Sequence, residues 1–197
     1  MDRRVFFASG AVLLAGCGMG SDRAPEASGA SGASLPLTPE CDDGDDPTPP
    51  QTEGPFYTPS SPQRNLVSDG VAGTPLTLAG VVLSRTCEPV AGALLDFWQA
   101  DDSGTYDNEG YRLRGHQFAE ADGRFRLDTI VPGLYPGRTR HLHVKVQAPD
   151  GPVLTTQLYF PDEPANDQDG IYSPQLVMGV TEGERGQDAT FTFVVEA

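Results

Sequence analysis

The sequence predicts an all-β chain, a β-sandwich of short, mostly antiparallel strands. Three observations carry that expectation. Apolar and polar residues alternate in six short stretches, the period of strands with one buried face. Glycine (23) and proline (18) are frequent and fall largely between those stretches, where turns are needed. No long segment repeats at helical spacing, and short half-buried strands need a second sheet to cover them.

The strands follow in order. Residues 76–83 alternate. Ala93, Leu95 and Phe97 share one face of the next strand, with Leu94, Asp96 and Trp98 on the other. Gly123 leads into residues 124–130, where Phe125 and Leu127 point inward. In residues 141–147, Leu142, Val144 and Val146 take one face and His141, His143 and Lys145 the other. Residues 153–160 place Gln157 and Tyr159 together. A Pro/Asp/Asn loop, residues 161–170, precedes the last strand, 189–196, with Phe191, Phe193 and Val195 inward.

Upstream, Asp2, Arg3 and Arg4 precede an apolar run that is too short to span a bilayer. Residues 1–16 therefore read as a signal peptide. Arg3-Arg4-Val5-Phe6-Phe7 resembles a twin-arginine signal, and Leu14-Ala15-Gly16-Cys17 resembles a lipoprotein processing box with Cys17 as the lipidated residue. The expectation is export from a bacterial cytoplasm, with membrane contact only through a lipid at Cys17. Residues 17–50 are Ser-, Gly-, Ala-, Pro- and Asp-rich and read as a flexible tether. Within them, Asp42-Asp43-Gly44-Asp45-Asp46 lacks the alternating ligands of a calcium loop and reads as solvated linker. The folded domain is expected over 51–197. Cys41 and Cys87 are expected to pair in an oxidising compartment, a bridge worth about 4 kcal/mol at most by loop entropy.

The formal charge of −15 argues against nucleic acid as a partner. Yet seven of the 13 Lys+Arg residues fall between positions 112 and 145: Arg112, Arg114, Arg124, Arg126, Arg138, Arg140 and Lys145. Such a local excess can draw an anion into a cleft.

Two of the three histidines, His141 and His143, share a strand face roughly 6–7 Å apart at the backbone. A buried imidazole pair needs a proton, a carboxylate or a metal. Two tyrosines are candidates to join them. Tyr106 ends the turn that follows Trp98, and Tyr135 is set in Pro132-Gly133-Leu134-Tyr135-Pro136, six positions before His141. Zinc favours His with Cys or carboxylate, and copper a third His or a Cys. Phenolate is a hard anionic donor suited to Fe(III). The residue types alone leave a metal site and ordinary core packing both open.

Six motifs fall in a telling order: Thr52-Glu53-Gly54-Pro55-Phe56-Tyr57, Asp96-Phe97-Trp98-Gln99-Ala100 leading to Gly104-Thr105-Tyr106, Ala121-Asp122-Gly123-Arg124-Phe125, Pro132-Gly133-Leu134-Tyr135-Pro136, Arg138 with His141-Leu142-His143, and Thr156-Gln157-Leu158-Tyr159-Phe160. Over about residues 50–180 the chain resembles the intradiol ring-cleavage dioxygenases, the group of protocatechuate 3,4-dioxygenase and catechol 1,2-dioxygenase, and among them the small exported type. The resemblance implies one non-haem Fe(III) per chain, held by Tyr106, Tyr135, His141 and His143 with a solvent hydroxide. It implies that Tyr135 is the ligand displaced by substrate and that Arg138 stabilises negative charge on the ring. Gln157 would adjoin the pocket, and Phe56 and Tyr57 would line its mouth. The implied reaction is cleavage of a catechol by O2 to a cis,cis-muconate-type dicarboxylate, with a small aromatic diol and O2 as the partners. Asp107, where larger members often carry a base, and Gly137, where protocatechuate enzymes carry an aromatic, depart from the pattern and leave substrate and oligomeric state open.

Two other readings compete. Gly80-Val81-Val82, Pro89-Val90-Ala91-Gly92-Ala93 and Asp122-Gly123-Arg124-Phe125 also resemble the non-catalytic transthyretin-like or carboxypeptidase-regulatory sandwich. A zinc hydrolase would have to recruit His116, which otherwise reads as a loop residue near the pocket.

Overall fold

Eight strands, counted among the described residues, build two four-stranded sheets in the computed structural model. The structure describes residues 46–197. The expected signal peptide, Cys17, Cys41 and most of the tether lie outside them. The first sheet contains β1 (Pro75–Ser84), β4 (Arg124–Ile130), β7 (Gly179–Glu182) and β8 (Gln187–Val195), in the order β4-β1-β8-β7. The second contains β2 (Leu94–Trp98), β3 (Arg114–Phe118), β5 (His141–Gln147) and β6 (Val153–Tyr159), in the order β3-β2-β5-β6. Pairing is antiparallel throughout except between β1 and β8.

The predicted alternation places the core between the sheets. Leu76, Leu78, Phe125, Leu127 and Phe193 of the first sheet meet Leu95, Phe97, Leu142, Val144 and Leu158 of the second. The Phe97 and Phe125 rings bridge the layers at 6.0 Å between centroids. Each fully buried side chain of this kind contributes roughly 1.5–3 kcal/mol.

Two strands, β3 and β7, have no counterpart in the sequence reading. In β3 (Arg-Gly-His-Gln-Phe) the inward positions are Gly115 and Gln117, so no apolar alternation exists to read. A side chain at Gly115 would collide with the Arg64 backbone and Val67, so this strand packs through closeness of backbone rather than apolar bulk. β7 is a four-residue edge strand, largely exposed. His116 consequently lies in a strand, not in a loop.

Thr48 and Pro49, expected in the tether, are bound to the sandwich. The Thr48 amide donates to the Val194 carbonyl at 2.9 Å, and the Thr48 hydroxyl accepts from the Val194 amide at 2.9 Å. The Thr156 hydroxyl donates to the Pro49 carbonyl at 2.7 Å. The chain then runs over the outer face of the second sheet, where the Gln51 amide donates to Thr155 and the Gln157 side chain donates to the Thr52 carbonyl. The segment thereby covers part of that face. Cys87, in the turn after β1, is disulfide-bonded; Cys41, its expected partner, lies outside the described residues.

Candidate metal centre

The outer face of the second sheet carries the site. Register sets Arg114, Trp98, His143 and Gln157 side by side across β3, β2, β5 and β6, and sets His141 opposite Tyr159. Strand alternation turns all six away from the core, yet Arg114, Trp98, His143, Gln157 and Tyr159 are at most 3% exposed and His141 is 5% exposed. The polar face is as dry as the apolar one.

The two imidazoles converge. His141 Nε2 and His143 Nε2 are 3.2 Å apart, and the Tyr106 hydroxyl lies 3.3 Å from His141 Nε2. His141 Nδ1 sits 2.6 Å from the Thr139 carbonyl. A carbonyl only accepts, so Nδ1 bears the proton and Nε2 presents its lone pair to the site. Burial lowers the His141 imidazole from 6.5 to about 4, against the opposing pull of the Thr139 bond. Burial, with repulsion from His141, Arg138 and Arg114, holds His143 well below its ordinary value. Both rings are therefore neutral at pH 7. His143 Nδ1 has no hydrogen-bond partner among the described residues. Its ring is held by a parallel stack on Trp98, at 4.7 Å and 7°.

Tyr106 reaches the pair from a loop held by close backbone approach. Asp101 accepts three hydrogen bonds through Oδ1, from the Ser103 and Thr105 amides and the Ser103 hydroxyl, closing the turn. The Gly133 amide donates to the Asp101 carbonyl at 2.7 Å. Gly104 and Gly133 permit this contact, since a side chain at either would strike backbone of the other loop, Leu134 O at 2.1 Å or Asp102 O at 2.4 Å. The Tyr106 and Tyr135 loops are thus joined, and their rings meet edge-on at 6.0 Å. Burial pushes the Tyr106 phenol up to about 12, with Arg138 and Arg114 pulling the other way. Phe56 stacks on Tyr106 at 4.5 Å and meets Tyr135 edge-on at 5.3 Å. Tyr57 lies one layer away, tilted against Trp98 at 4.8 Å, with its hydroxyl donating to Asp96 rather than toward the imidazoles.

Arg138 and Gln157 are brought together as well. Arg138 Nη2 donates to Gln157 Oε1 at 2.6 Å. The other side of the guanidinium meets Asp169, with Nε 2.8 Å from Oδ2. Asp169 also accepts from the Thr139 and Ile171 amides. Burial raises its carboxyl, but these donors and Arg138 outweigh that and hold it below 3.8. The sequence reading missed Asp169, Trp98 as a stacking partner, and Arg114. Asp169 sits in the loop at 161–170 with two other aspartates, and no spacing marks it out. Arg114 donates to the carbonyls of Phe56 (2.7 Å) and Asp107 (3.0 and 2.7 Å), tying the segment bearing Phe56 to the residue after Tyr106.

The basic excess between positions 112 and 145 does not amount to a free positive patch. Six of the seven bases have a carboxylate within 4 Å: Arg112 with Asp101, Arg124 with Asp122, Arg126 with Asp128, Arg138 with Asp169, Arg140 with Glu163 and Lys145 with Glu53. Arg114 is occupied by the three carbonyl bonds. The expected anion attractor is locally neutralised.

The donor set suits a hard trivalent cation. Two neutral imidazole nitrogens and a phenol oxygen form a chain of contacts at 3.2 and 3.3 Å, which either N–H and O–H protons bridge or a cation gathers. Among the described residues no group of three or more His, Cys, Asp or Glu gathers; the third donor beside the two imidazoles is the Tyr106 phenol. His116 does not join the set. Its Nδ1 is 2.7 Å from the Ser61 carbonyl, and it stands opposite Asp96, beyond which lies Lys145.

Comparison with known proteins gives the family. A family profile described as dioxygenase matches residues 52–197. The chain is 30% identical over 147 residues to a hydroxyquinol 1,2-dioxygenase of Rhizobium sp. (strain MTP-10005), covering 60% of this chain and 50% of that one. It is 28% identical over 172 residues to catechol 1,2-dioxygenase 1 of Acinetobacter lwoffii, covering 71% and 55%. It thus spans about half the length of these curated relatives. The dioxygenase domain of a dioxygenase–carbohydrate-binding protein fusion from Streptomyces sp. SirexAA-E superposes with a TM-score of 0.76 at 56% identity, covering 77% of this chain and 99% of that one. With the fold, the convergent imidazoles and the profile in agreement, the transthyretin-like alternative falls away: the chain belongs to the intradiol ring-cleavage dioxygenase family.

Proposed function

We propose that this chain holds a non-haem ferric ion through Tyr106, Tyr135, His141 and His143 and uses it to cleave a catechol with O2. The observation that carries the reading is the chain of contacts on a buried sheet face, Tyr106 Oη 3.3 Å from His141 Nε2 and His141 Nε2 3.2 Å from His143 Nε2. When bound, ferric iron would supply a Lewis acid for both oxygens of a catechol and would make the ring reactive toward O2.

The chain's own groups have separable tasks. His141 offers Nε2 because Thr139 holds the Nδ1 proton. Tyr106 is buried and sealed beneath Phe56, which suits a permanent ligand. Tyr135 is only half-buried, which suits the ligand that gives way to substrate, its phenolate taking up a proton from the diol. Arg138, oriented by Asp169 and Gln157, stabilises negative charge that develops on the ring. Phe56 supplies an aromatic wall beside both phenols.

The test is O2 uptake by iron-loaded protein with catechol, together with identification of the product. The reading predicts a cis,cis-muconate-type dicarboxylate containing both oxygen atoms of one O2. Absence of uptake with every catechol tried would sink it. We further propose that residues 1–16 direct export and that Cys17 carries a lipid, on the evidence of the Leu14-Ala15-Gly16-Cys17 box. Mass spectrometry of the protein from its native membranes should find a diacylglyceryl adduct on Cys17. An unmodified Cys17 would refute the anchor.

A further inference from the structure

We infer that the site accepts catechols that carry no ring carboxylate and discriminates against those that do. The inference rests on the dioxygenase reading above and names the substrate class of that same site. It follows from what each nearby cation is already doing. A carboxylate carried into a dry pocket needs a cation or several donors to replace its water. Arg138 is the base tied into the row that holds His143, through Gln157. Its charge is met by Asp169, whose side chain is 2% exposed and which holds the guanidinium at 2.8 Å. Arg114 is 1% exposed, and its three bonds to backbone carbonyls leave it turned to Phe56 and Asp107. Lys145, on the same sheet face, is 2.5 Å from Glu53 and packed on the Tyr57 ring. Arg140 is paired with Glu163.

Phe56 walls the two phenols. Leu134, next to Tyr135 in the chain, is 47% exposed, and Ile171, two residues from Asp169, is 38% exposed. A neutral ring suits the aromatic wall of Phe56, whereas a second anion enters against the −15 formal charge of the chain.

Three ligands separate charge from size: catechol, 4-methylcatechol and 3,4-dihydroxybenzoate. Each is tested on iron-loaded full-length protein by anaerobic calorimetry for Kd and by O2 uptake for kcat/KM. The inference predicts that 4-methylcatechol stays within a few-fold of catechol and that the acid falls at least about tenfold below both in each measurement. Comparable values for the acid and 4-methylcatechol, whether both high or both low, would overturn it, because charge would then not be the discriminator. If no catechol binds or turns over, the dioxygenase reading itself fails and this inference with it, an outcome distinct from a poorly chosen substrate class. Asp169→Asn gives an independent check by uncovering the Arg138 charge, and the gap between acid and 4-methylcatechol should narrow several-fold. An unchanged gap in folded Asp169→Asn protein would overturn the role given to Asp169.

Discussion

Leu142 and His143 are neighbours on β5, 1% and 3% exposed, and they face opposite ways. The core face of this sheet buries carbon against carbon, and shape and volume are all it asks. The outer face buries imidazole, phenol, guanidinium and carboxamide, and there each atom has an address. Arg138 has Asp169 and Gln157, His141 has Thr139, and Gln157 has Thr52. Equal burial therefore has two meanings one residue apart. On one face it stabilises the sandwich. On the other it removes water from imidazole, phenol and guanidinium, at a cost in stability that the proposed cation would offset on binding.

Paired substitutions sharpen this contrast. His143→Ala should have the largest effect, abolishing iron retention and catechol-dependent O2 uptake, measured by metal analysis and an oxygen electrode. Iron retained by that variant would break the assignment. Leu142→Ala should do the reverse, keeping its iron while losing about 2–5 kcal/mol of stability in denaturant titration. A Leu142→Ala protein that loses iron without losing stability would erase the distinction between the faces.

Acid sharpens it further. The metal-free protein buries His141 neutral, with its ionisation lowered from 6.5 to about 4. The unfolded chain binds that proton first as pH falls, so stability is full above 6.5 and declines as pH drops toward 4. The loss is on the order of 3 kcal/mol for this group. Metal-free His141→Ala protein should show a flatter decline over the same window, read from melting temperatures between pH 7 and pH 4. An identical slope in both proteins would mean that His141 is not buried in neutral form.

Much of this arrangement is legible in the sequence because it rests on alternation. Leu142, Val144 and Val146 announce an inward face, which turns His141 and His143 outward together, and the same logic sets Gln157 beside Tyr159. Strands β1, β2, β4, β5, β6 and β8 follow from that pattern. β3 does not, because Gly115 and Gln117 occupy its inward positions. Pairings between distant segments escape as well. Asp169 finds Arg138 across 31 residues and Arg114 finds Phe56 across 58, and nothing local to either partner signals the other. The basic stretch misleads for the same reason, since the acids that neutralise Arg138, Arg140 and Lys145 come from loops outside it. Ligand roles for Tyr106 and Tyr135 rest on the family resemblance alone, while the contact of Gly104 with Gly133 brings their rings together.

The central claim is that a phenol and two imidazoles on the buried outer face form a ferric site. Visible absorption of the iron-reconstituted protein tests it most directly. The account predicts a tyrosinate-to-iron charge-transfer band that weakens and shifts in Tyr106→Phe and vanishes in His143→Ala. A colourless protein after reconstitution, or a band indifferent to both substitutions, would contradict it.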